Sequence, residues 1–249
     1  PKSLEIMNEE LKKKIDEVVK QCCEIIENLG LTVMLTEDLR GLSISKTHKI
    51  FSEESILENA DLLISIGGDG TILSCARKFG KEKLPILGIN LGKVGFLADL
   101  STADLTFQLK EIFNGKYLTD ERILLRAKIG EGNSTSVALN EIVIHSGAVA
   151  QMIEYEVFLD DIFLYRQKAD GLIINTPTGS TAYSMSGGGP IMHPSVNALT
   201  LLPMFPHSLS SNPLLVSDKS KIKIRIINCK KKTMLSLDSH NTFPVNIND

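Results

Sequence analysis

The sequence predicts an α/β N-terminal domain with a parallel sheet, followed by an all-β C-terminal domain. Two observations predict this arrangement. Helical and strand-like patterns alternate over residues 1 to 100, which is typical of a parallel sheet with crossover helices. After residue 116 the helical pattern nearly disappears, and strand-like runs follow one another, several with alternating polar and apolar residues. We therefore place an α/β domain at 1–100 and a mainly β domain at 101–249, whose last residues can return to the first domain.

Helix and strand signals alternate in the first domain. Apolar residues recur at helical spacing from Leu11 to Leu29, and Gly30 marks the end of that helix. The other predicted elements are a strand at 31–35, a helix around 53–59, a buried strand at 61–66, a helix that ends at Gly80, a buried strand at 85–90, and a helix at 102–115 that Ser101 or Thr102 caps and Gly115 closes.

Strand-like runs fill the second domain, and the chain has no internal repeat. The runs lie at 121–130, 136–146, 153–161, 162–167, 171–176, 198–204, 221–229 and 233–238. A short helical turn is predicted near 181–186. The second half therefore reads as a β domain with little helix.

The composition excludes several classes of function. The chain has 249 residues and a formal net charge of -3, so no basic balance predicts binding to nucleic acid or to an anionic membrane. Its apolar runs are too short to span a bilayer. The four cysteines lack both metal-ligand spacing and the density of a disulfide framework, which predicts a reducing, cytoplasmic compartment. The chain opens in a predicted helix and closes without one, so we expect further residues beyond one or both ends.

The stretch "LLISIGGDGTILSCARKF" places an acid, Asp69, among glycines between a buried strand and a helix. Ligands bind at this point of open α/β sheets. Gly67, Gly68 and Gly70 permit close backbone approach and a helix N-terminus favours an anion, so together with Thr71 they form the predicted phosphate-binding turn. The pattern lacks the third glycine of the dinucleotide fingerprint. A tight turn with Asp69 near the helix N-cap is the alternative, and the turn alone does not decide between them.

A second cluster is "DGLIINTPTGSTAYSMSGGGPIMHPS" at 170–195. It concentrates short hydroxyl side chains and one flat aromatic on a glycine-rich loop, which suits a polyhydroxylated, phosphate-bearing ligand. Its polar members are Asp170, Thr176, Thr178, Ser180, Thr181, Tyr183, Ser184 and Ser186. A flexible Ser/Gly linker is the alternative. The flanking apolar strands, with Pro177 and Pro190, argue against it.

A third signal is the pair Asn140–Glu141 inside the strand-like run "VALNEIVIH". A carboxylate beside an amide can grip the two hydroxyls of a ribose through paired hydrogen bonds. Taken alone, the pair also fits a strand end that faces water.

Together these motifs resemble the NAD kinase family. "GGDGT", "GINLGKVGFL", the Asn–Glu pair, "DGLIINTPTGSTAYS" with "GGGPI", and "PMFPHSLSSNPLLV" occur in the order of that family, over residues 55 to 240. GGDGT alone is shared with diacylglycerol and sphingosine kinases, whereas TPTGSTAYS downstream of the Asn–Glu pair is far more specific. The resemblance implies an α/β nucleotide-binding domain and a β domain, with the active site between them.

The resemblance also implies an activity. Members transfer the terminal phosphate of ATP, with Mg²⁺ or another divalent metal, to the adenosine-ribose 2′-hydroxyl of NAD, and the product is NADP. They form homodimers or homotetramers in which a neighbouring subunit completes the NAD site. The expected partners are therefore NAD, ATP and further copies of the chain, with no nucleic acid and no membrane.

By motif, the resemblance implies roles for individual residues. Asp69 resembles the catalytic acid of GGDGT, which acts as base toward the 2′-hydroxyl. Asn140 and Glu141 resemble the grip on ribose and adenine, and Asp170 resembles the aspartate near the nicotinamide amide. Asp238 resembles the late aspartate of the family's Asp-Gly-Gln, and no metal ligand is assigned. The remaining NAD-binding candidates are Gly70, Thr178, Thr181, Ala182, Tyr183 and Ser186.

The chain departs from the family pattern at three places. "DSH" replaces Asp-Gly-Gln, and we expect His240 to occupy a turn. Asn212 stands where an arginine is usual, and Gly187 where an alanine is usual. Two other functions stay open: a lipid kinase of the diacylglycerol kinase type, which needs an acyl-chain pocket, and a nucleotide sensor without turnover. The presence of Asp69 argues against a sensor. The residues leave open whether the donor is ATP or polyphosphate, and whether the acceptor is NAD or NADH.

Overall fold

The computed structural model describes residues 9–80, 84–92, 95–98, 100–130, 135–147, 151–208, 211–229 and 232–247. The chain divides into two compact units, Pro1–Asp120 and Glu121–Asp249. The boundary after residue 100 stays a prediction, whereas the compact units meet at Asp120. Of the predicted motif residues, Lys93, Val94, Leu209 and Ser210 lie outside the described ranges.

The first unit is α/β, as predicted. Its elements are α1 Glu9–Asn28, β1 Leu35–Thr36, β2 Ile50–Phe51, α2 Glu53–Asn59, β3 Leu63–Gly67, α3 Asp69–Phe79, β4 Ile86–Asn90, β5 Leu100–Ser101 and α4 Leu105–Phe113. Strands β3, β4 and β5 form a parallel sheet in that order, and β1 pairs with β2, also in parallel.

Helices cover both faces of the parallel sheet. Successive residues of a strand point to opposite faces, and Leu63 packs with Ile56 of α2 and Phe79 of α3, while the neighbouring Ile64 packs with the apolar faces of α1 and α4. This arrangement leaves the carboxyl end of β3 as the point where the chain turns into α3.

Two local predictions in this unit are wrong. The strand predicted at 31–35 is reduced to Leu35–Thr36, because its parallel partner β2 offers only two residues for pairing. The last helix begins at Leu105 and its N-cap residue is Asp104, in the left-handed conformation with φ 55°, so neither Ser101 nor Thr102 caps it. The predicted helix at 53–59 is confirmed, and the Ser52 hydroxyl accepts a hydrogen bond from the Ser55 N–H at 3.3 Å as its cap.

The second unit is mainly antiparallel, as predicted. Its strands are β6 Leu125–Lys128, β7 Thr135–Ala138, β8 Glu141–Ser146, β9 Ile153–Leu159, β10 Ile162–Ala169, β11 Gly171–Asn175, β12 Ala198–Met204, β13 Leu214–Ser217, β14 Ile222–Cys229, β15 Thr233–Leu237 and β16 Asn241–Val245. They form a six-stranded sheet in the order β13-β12-β11-β8-β15-β16, a three-stranded sheet β10-β9-β14, and the pair β6-β7.

Side chains from the six-stranded and three-stranded sheets form one apolar core. Leu172, Leu201 and Leu237 come from the larger sheet, and Tyr155 and Ile226 come from the smaller one. Tyr155 is fully buried there, and Tyr165 packs against the same cluster. The opposite face of the larger sheet carries a small apolar cluster of Val143, Ile173 and Leu202.

The run predicted at 136–146 is split in the structure into β7 and β8, with a break at Leu139–Asn140. The helical turn predicted near 181–186 is present as a 3-10 turn at Thr178–Thr181 followed by one α-helical turn, α5, at Tyr183–Ser186. Among the helices of the described ranges, none is long and apolar enough to cross a membrane.

Candidate active site

The glycine turn of the first unit joins β3 to α3. Gly67 is the last residue of β3, Gly68 is the N-cap residue of α3, and Asp69, Gly70 and Thr71 form the first turn of the helix. The first N–H groups of a helix have no intrahelical acceptor and favour a bound anion. The four predicted phosphate-binding residues and Asp69 are therefore brought together where a phosphate is favoured.

The Asp69 side chain does not cap its own helix. No side-chain hydrogen bond caps α3; instead, Asp69 Oδ2 accepts the Phe96 N–H at 3.0 Å and Oδ1 accepts the Leu97 N–H at 3.2 Å. A methyl group added to Gly95 would lie 2.2 Å from Asp69 Oδ1, so only glycine lets the backbone approach this carboxylate. Asp69 is fixed in orientation, and because a carboxylate oxygen has two lone pairs, each oxygen keeps one for a further donor or a cation.

The preceding part of the same loop has its own anchors. The Asn90 side-chain oxygen accepts the Gly92 N–H at 2.8 Å, and the Lys14 ammonium of α1 donates to the Leu91 carbonyl. The Leu91 N–H in turn donates to the Gly67 carbonyl at 3.2 Å. The loop after β4 is therefore hydrogen-bonded to the glycine turn at two places: Leu91 bonds to the Gly67 carbonyl, and the N–H groups of residues 96 and 97 bond to the Asp69 carboxylate.

In the second unit, the break between β7 and β8 is held by Asp238. Asp238 Oδ2 accepts the Leu139 N–H at 3.1 Å, and Oδ1 accepts the N–H groups of Asn140 at 2.8 Å and Glu141 at 3.3 Å. Asp238 is only 2% exposed. Its own N–H donates to the Glu141 carbonyl at 3.0 Å, which places it directly beside Glu141 in the sheet.

Thr176 holds the carbonyl side of the same turn. Its hydroxyl donates to the Leu139 carbonyl at 2.6 Å, and its N–H donates to the Asn140 carbonyl at 2.9 Å. The Gly179 N–H then donates to the Thr176 hydroxyl at 3.1 Å. A methyl group on Gly179 would lie 2.1 Å from the Asn140 carbonyl oxygen. The Asn–Glu turn (residues 139–141) and the TPTGST segment (residues 176–181) are therefore packed directly against each other.

Glu141 does not face water, contrary to the alternative that the sequence left open. It is 2% exposed, and burial together with the charge of Asp238 raises its pKa to about 7. Asn175 lies directly opposite on β11 and is fully buried. Within the described part of the chain, neither Glu141 Oε2 nor Asn175 Oδ1 has a hydrogen-bond partner. Both are acceptors, so they can be satisfied by protonation of Glu141, by a water or by a donor group of a ligand.

The structure divides the hydroxyl-rich cluster into two groups. Ser180 donates to the Pro177 carbonyl at 2.7 Å and accepts the Met192 N–H at 3.0 Å, and Ser184 is fully buried. The Thr176 and Ser180 hydroxyls therefore hold the loop itself, whereas the Ser184 hydroxyl has no hydrogen-bond partner within the described residues. The opposite group includes exposed Tyr183, at 43%, and exposed Ser186; Thr181 and Ala182 are half-buried and Thr178 is 8% exposed.

Asp170 is not brought to this place. It precedes β11, whereas Asn175 and Thr176 follow from the other end of that strand. The Asp170 carbonyl accepts the Ser146 N–H at 3.2 Å, at the far end of β8 from Glu141. At about 3.3 Å per residue, the five residues of β11 separate Asp170 from the Asn–Glu turn by roughly 16 Å.

Comparison with known proteins decides the family. The model of the ATP-NAD kinase N-terminal domain matches residues 5–117, and that of the ATP-NAD kinase C-terminal domain matches residues 139–249. The chain belongs to the NAD kinase family. The resemblance predicted from the motifs is confirmed by these two matches.

Individual relatives agree with the family assignment. The NAD kinase of Saccharophagus degradans is 42% identical over 211 residues, which cover 84% of this chain and 72% of that protein. The NAD kinase of Acinetobacter baylyi is 40% identical over 238 residues, covering 93% and 78%. These comparisons favour the NAD kinase prediction over the lipid-kinase alternative.

Solved structures of NAD kinases share the fold. Yeast NADH kinase, crystallised with NADH, has a TM-score of 0.79 at 30% identity and is matched over 95% of this chain and 71% of its own. The NAD kinase of Archaeoglobus fulgidus, crystallised with ATP, has a TM-score of 0.71 at 28% identity, with coverage of 93% and 89%. The predicted combination of an α/β and a β domain is that of the NAD kinase fold.

One cation beside the hydroxyl-rich segment is not predicted from the sequence. Arg122 donates to the Thr178 hydroxyl at 3.3 Å, across 56 positions of sequence. Arg122 lies in the run 121–130, whose pattern predicts only a strand, so no local motif indicates a place beside Thr178. His240, by contrast, occupies the turn predicted for it, with its Nδ1 hydrogen-bonded to the Asp238 carbonyl at 2.7 Å. Asn212 is exposed.

Proposed function

We propose that this chain is an NAD kinase, which transfers the terminal phosphate of ATP to the adenosine-ribose 2′-hydroxyl of NAD and releases NADP. The observation that carries the proposal is the oriented carboxylate of Asp69, beside the glycine turn at the start of α3. A general base must be positioned before its proton affinity matters. The two N–H groups of Phe96 and Leu97 supply that positioning.

Asp69 is proposed as the base that receives the 2′-hydroxyl proton. Gly67, Gly68, Gly70 and Thr71 are proposed to bind phosphate at the N-terminus of α3. Phosphoryl transfer depends mainly on positioning and charge stabilisation. A turn that offers backbone N–H groups to phosphate and holds one fixed carboxylate supplies both.

The acceptor is proposed to lie against the Asn140–Glu141 turn and the segment that contains Thr178, Thr181, Ala182, Tyr183 and Ser186. The exposed ring of Tyr183 and the hydroxyl of Ser186 are open to a ligand, and a flat aromatic with hydroxyls suits a nucleoside. The unpartnered oxygen of Glu141 is an acceptor for a ribose hydroxyl or a base N–H. Asp238 supports the turn rather than the ligand.

A divalent cation, Mg²⁺, is proposed to accompany the nucleotide. Within the described residues, no group of three or more His, Cys, Asp or Glu side chains is placed to hold a metal. Mg²⁺ needs no such cluster, because it is usually held by one or two carboxylates together with substrate phosphates and water. Asp69 fits as that carboxylate, and the cation would supply charge neutralisation at the transferred phosphate.

A homodimer or homotetramer is proposed as the working form. The membership of this chain in the NAD kinase family, which implies such assemblies, supports this. The compartment is proposed to be the cytoplasm, since the four cysteines are free thiols in the structure.

The function is tested by incubating the protein with Mg²⁺, NAD and either ATP or polyphosphate, and by measuring NADP with an NADP-specific dehydrogenase. NADH replaces NAD in a parallel series. Formation of NADP with phosphate at the adenosine 2′ position is the expected result. Binding of NAD and ATP in a calorimeter without any product would instead favour the nucleotide sensor, and transfer of phosphate to diacylglycerol would favour the lipid kinase.

A further inference from the structure

Among the described residues of the second unit, Asp238 is the most buried carboxylate to which the proposed function assigns no chemistry. It is 2% exposed, and its two oxygens accept three consecutive backbone N–H groups, those of residues 139, 140 and 141. We propose that Asp238 is a positioning residue for the acceptor: it fixes the backbone of the Asn140–Glu141 turn, and thereby the two side chains, without contacting the substrate. This inference rests on the proposed function, because it assigns Asn140 and Glu141 to NAD.

The hydrogen bonds require an acceptor on both sides of the Asp238 side chain. The Leu139 N–H points to one oxygen and the Asn140 and Glu141 N–H groups point to the other. A carboxylate has acceptor sites on both oxygens, whereas an asparagine side chain would place its NH₂ against one of these N–H groups. The chain therefore needs aspartate here, and hydrogen bonds to a charged acceptor are also the stronger kind.

Thr176 completes the clamp from the carbonyl side. Its hydroxyl and N–H bind the carbonyls of Leu139 and Asn140, and the Gly179 N–H binds that hydroxyl. The turn is consequently fixed by one side chain that accepts and one that donates. Thr176 belongs to the same chain segment as Thr178 and Thr181. Asp238 and Thr176 together therefore set the position of the Asn–Glu turn relative to this TPTGST segment.

The turn that carries Asp238 is itself a constrained hairpin. Asp238 and Ser239 have φ of 47° and 56°, and the His240 N–H donates to the Leu237 carbonyl at 3.0 Å. Positive φ at both central residues, with a hydrogen bond from the fourth residue to the first, is the mark of a type I′ turn. The tight turn between β15 and β16 holds the Asp238 carboxylate under the Asn–Glu turn, where a longer loop would leave it free to move.

The charge of Asp238 gives the experiment a readout that a purely structural role would not change. It is one cause, after burial, of the raised pKa of Glu141. The other groups packed in this corner are neutral Asn175 and Thr176, and the titratable ring of His240 lies on the Asp238 carbonyl. Removal of the Asp238 charge therefore lowers the Glu141 pKa, and the pH at which the acceptor is recognised shifts downward.

The test compares Asp238→Asn with wild-type protein and with Asp160→Asn. Asp160 is a matched control, because it is an exposed aspartate of the same unit that accepts a single backbone N–H, that of Lys221 at 2.8 Å. For Asp238→Asn we expect the KM for NAD to rise roughly tenfold, since a hydrogen bond to a charged acceptor is lost, and the KM for ATP to change much less. The acidic limb of kcat/KM for NAD moves to lower pH. Asp160→Asn is expected to leave all three quantities unchanged.

Thr176→Val is the second variant, and it keeps the inference testable if Asp238→Asn does not fold. It removes the hydroxyl without a change of charge, so the KM for NAD should rise while the pH profile stays in place. Unchanged KM for NAD in whichever of the two variants fold, measured on a wild-type enzyme that makes NADP, would overturn the inference alone. A wild-type protein that neither binds NAD in a calorimeter nor makes NADP would overturn the proposed function and the inference with it.

Discussion

Asp69 in the first unit and Asp238 in the second use the same chemistry in different surroundings. Each carboxylate accepts backbone N–H groups from a segment far away in sequence, two for Asp69 and three for Asp238. Asp69 is half-buried at the start of a helix, whereas Asp238 is enclosed in the sheet at 2% exposure. Burial of a carboxylate is costly unless hydrogen bonds compensate. The more deeply buried Asp238 accordingly accepts one more backbone N–H group than Asp69 does.

The difference separates a residue that can do chemistry from one that holds a shape. The Asp69 oxygens accept one N–H each and are accessible enough to meet a hydroxyl or a cation. The three N–H groups around Asp238 occupy most of the lone-pair acceptor sites of its carboxylate. Substitutions at the two positions should therefore differ in kind: we expect those at Asp69 to affect turnover and those at Asp238 to affect stability and acceptor binding.

The largest expected effect is that of Asp69→Asn on turnover. Asparagine keeps the shape but cannot take the 2′-hydroxyl proton, so kcat should fall by more than about a hundredfold, while NAD and ATP still bind in a calorimeter. One of the two loop hydrogen bonds is also lost, at about 1 kcal/mol of unfolding free energy. Asp61→Asn, at an exposed position before β3, is the matched control. A loss of kcat below about tenfold would mean that Asp69 only anchors the loop.

The second effect is the destabilisation caused by Asp238→Ala. Three buried N–H groups lose their acceptor, and unsatisfied buried donors cost about 1–3 kcal/mol each, so the free energy of unfolding should fall by about 3 kcal/mol or more. Urea unfolding followed by circular dichroism measures it. Asp160→Ala, with one exposed N–H, should cost under about 1 kcal/mol. Equal costs at the two positions would contradict the distinction by burial.

A third variant, Gly95→Ala, acts on Asp69 without changing its chemistry. The added methyl would lie 2.2 Å from Asp69 Oδ1, so the carboxylate or the loop must shift. A misplacement on the order of 1 Å can cost about a hundredfold in rate, and we expect kcat to fall by at least about tenfold. Gly92→Ala is the control in the same loop, because its methyl would lie 3.9 Å from the nearest atom, Asn90 Oδ1. If both variants keep full kcat, the orientation of Asp69 is not important for turnover.

Glu141→Gln tests the acceptor turn and its pH dependence. We expect kcat/KM for NAD to fall by roughly tenfold at pH 8, since a charge-assisted hydrogen bond is lost. The pKa of Glu141 is raised to about 7, so the wild-type side chain is protonated below that pH and the variant should differ less at pH 6.

The same raised pKa makes stability depend on pH in a defined direction. Between the ordinary glutamate pKa of 4.5 and about 7, the folded protein binds more protons than the unfolded one, so the free energy of unfolding decreases as pH rises through this window. Glu141→Gln removes that contribution. A variant whose unfolding free energy falls across the window as steeply as that of wild type would show that Glu141 is not the group responsible.

The smallest expected effect belongs to Ser239→Gly. Ser239 has φ 56° in the hairpin turn, a conformation that costs a residue with a side chain roughly 1–2 kcal/mol and costs glycine nothing sterically. Glycine loses more entropy on folding, so a net gain of about 0.5–1 kcal/mol is expected in urea unfolding. The Asp238 carboxylate is untouched, and the kinetics for NAD should stay unchanged. A loss of stability would mean that the Ser239 side chain makes a compensating contact.

Features fixed by neighbouring residues were predictable from the sequence. The helix at Glu53–Asn59 begins after a serine cap and the strand at Ile86–Asn90 is a short apolar run, so local signals were sufficient. The strand predicted at 31–35 failed because its length depends on its partner, Ile50–Phe51. Pairing partners lie elsewhere in the chain, and no local pattern specifies them.

The candidate site shows the same division. The composition of the sequence predicts the glycine turn and the hydroxyl-rich segment, but it does not predict which hydroxyls point inward. The Ser180 hydroxyl, for example, is held inside by hydrogen bonds with the backbone of Met192, twelve residues away. The bonds of Asp69 span 27 and 28 positions, and those of Asp238 span 97 to 99. Only the folded chain brings such groups together. The family resemblance supplied the proposed role of Asp69, and the structure supplied its hydrogen-bond partners.

The placement of the tyrosines determines how the unfolding of this protein can be observed. The chain has four tyrosines and no tryptophan. Tyr155 and Tyr165 lie in the core of the second unit, where burial raises their pKa, for Tyr165 to about 12; Tyr117 is the single tyrosine of the first unit and is 59% exposed. Near-ultraviolet absorbance and fluorescence will therefore report mainly the second unit. A transition seen by circular dichroism but silent in tyrosine emission would belong to the first.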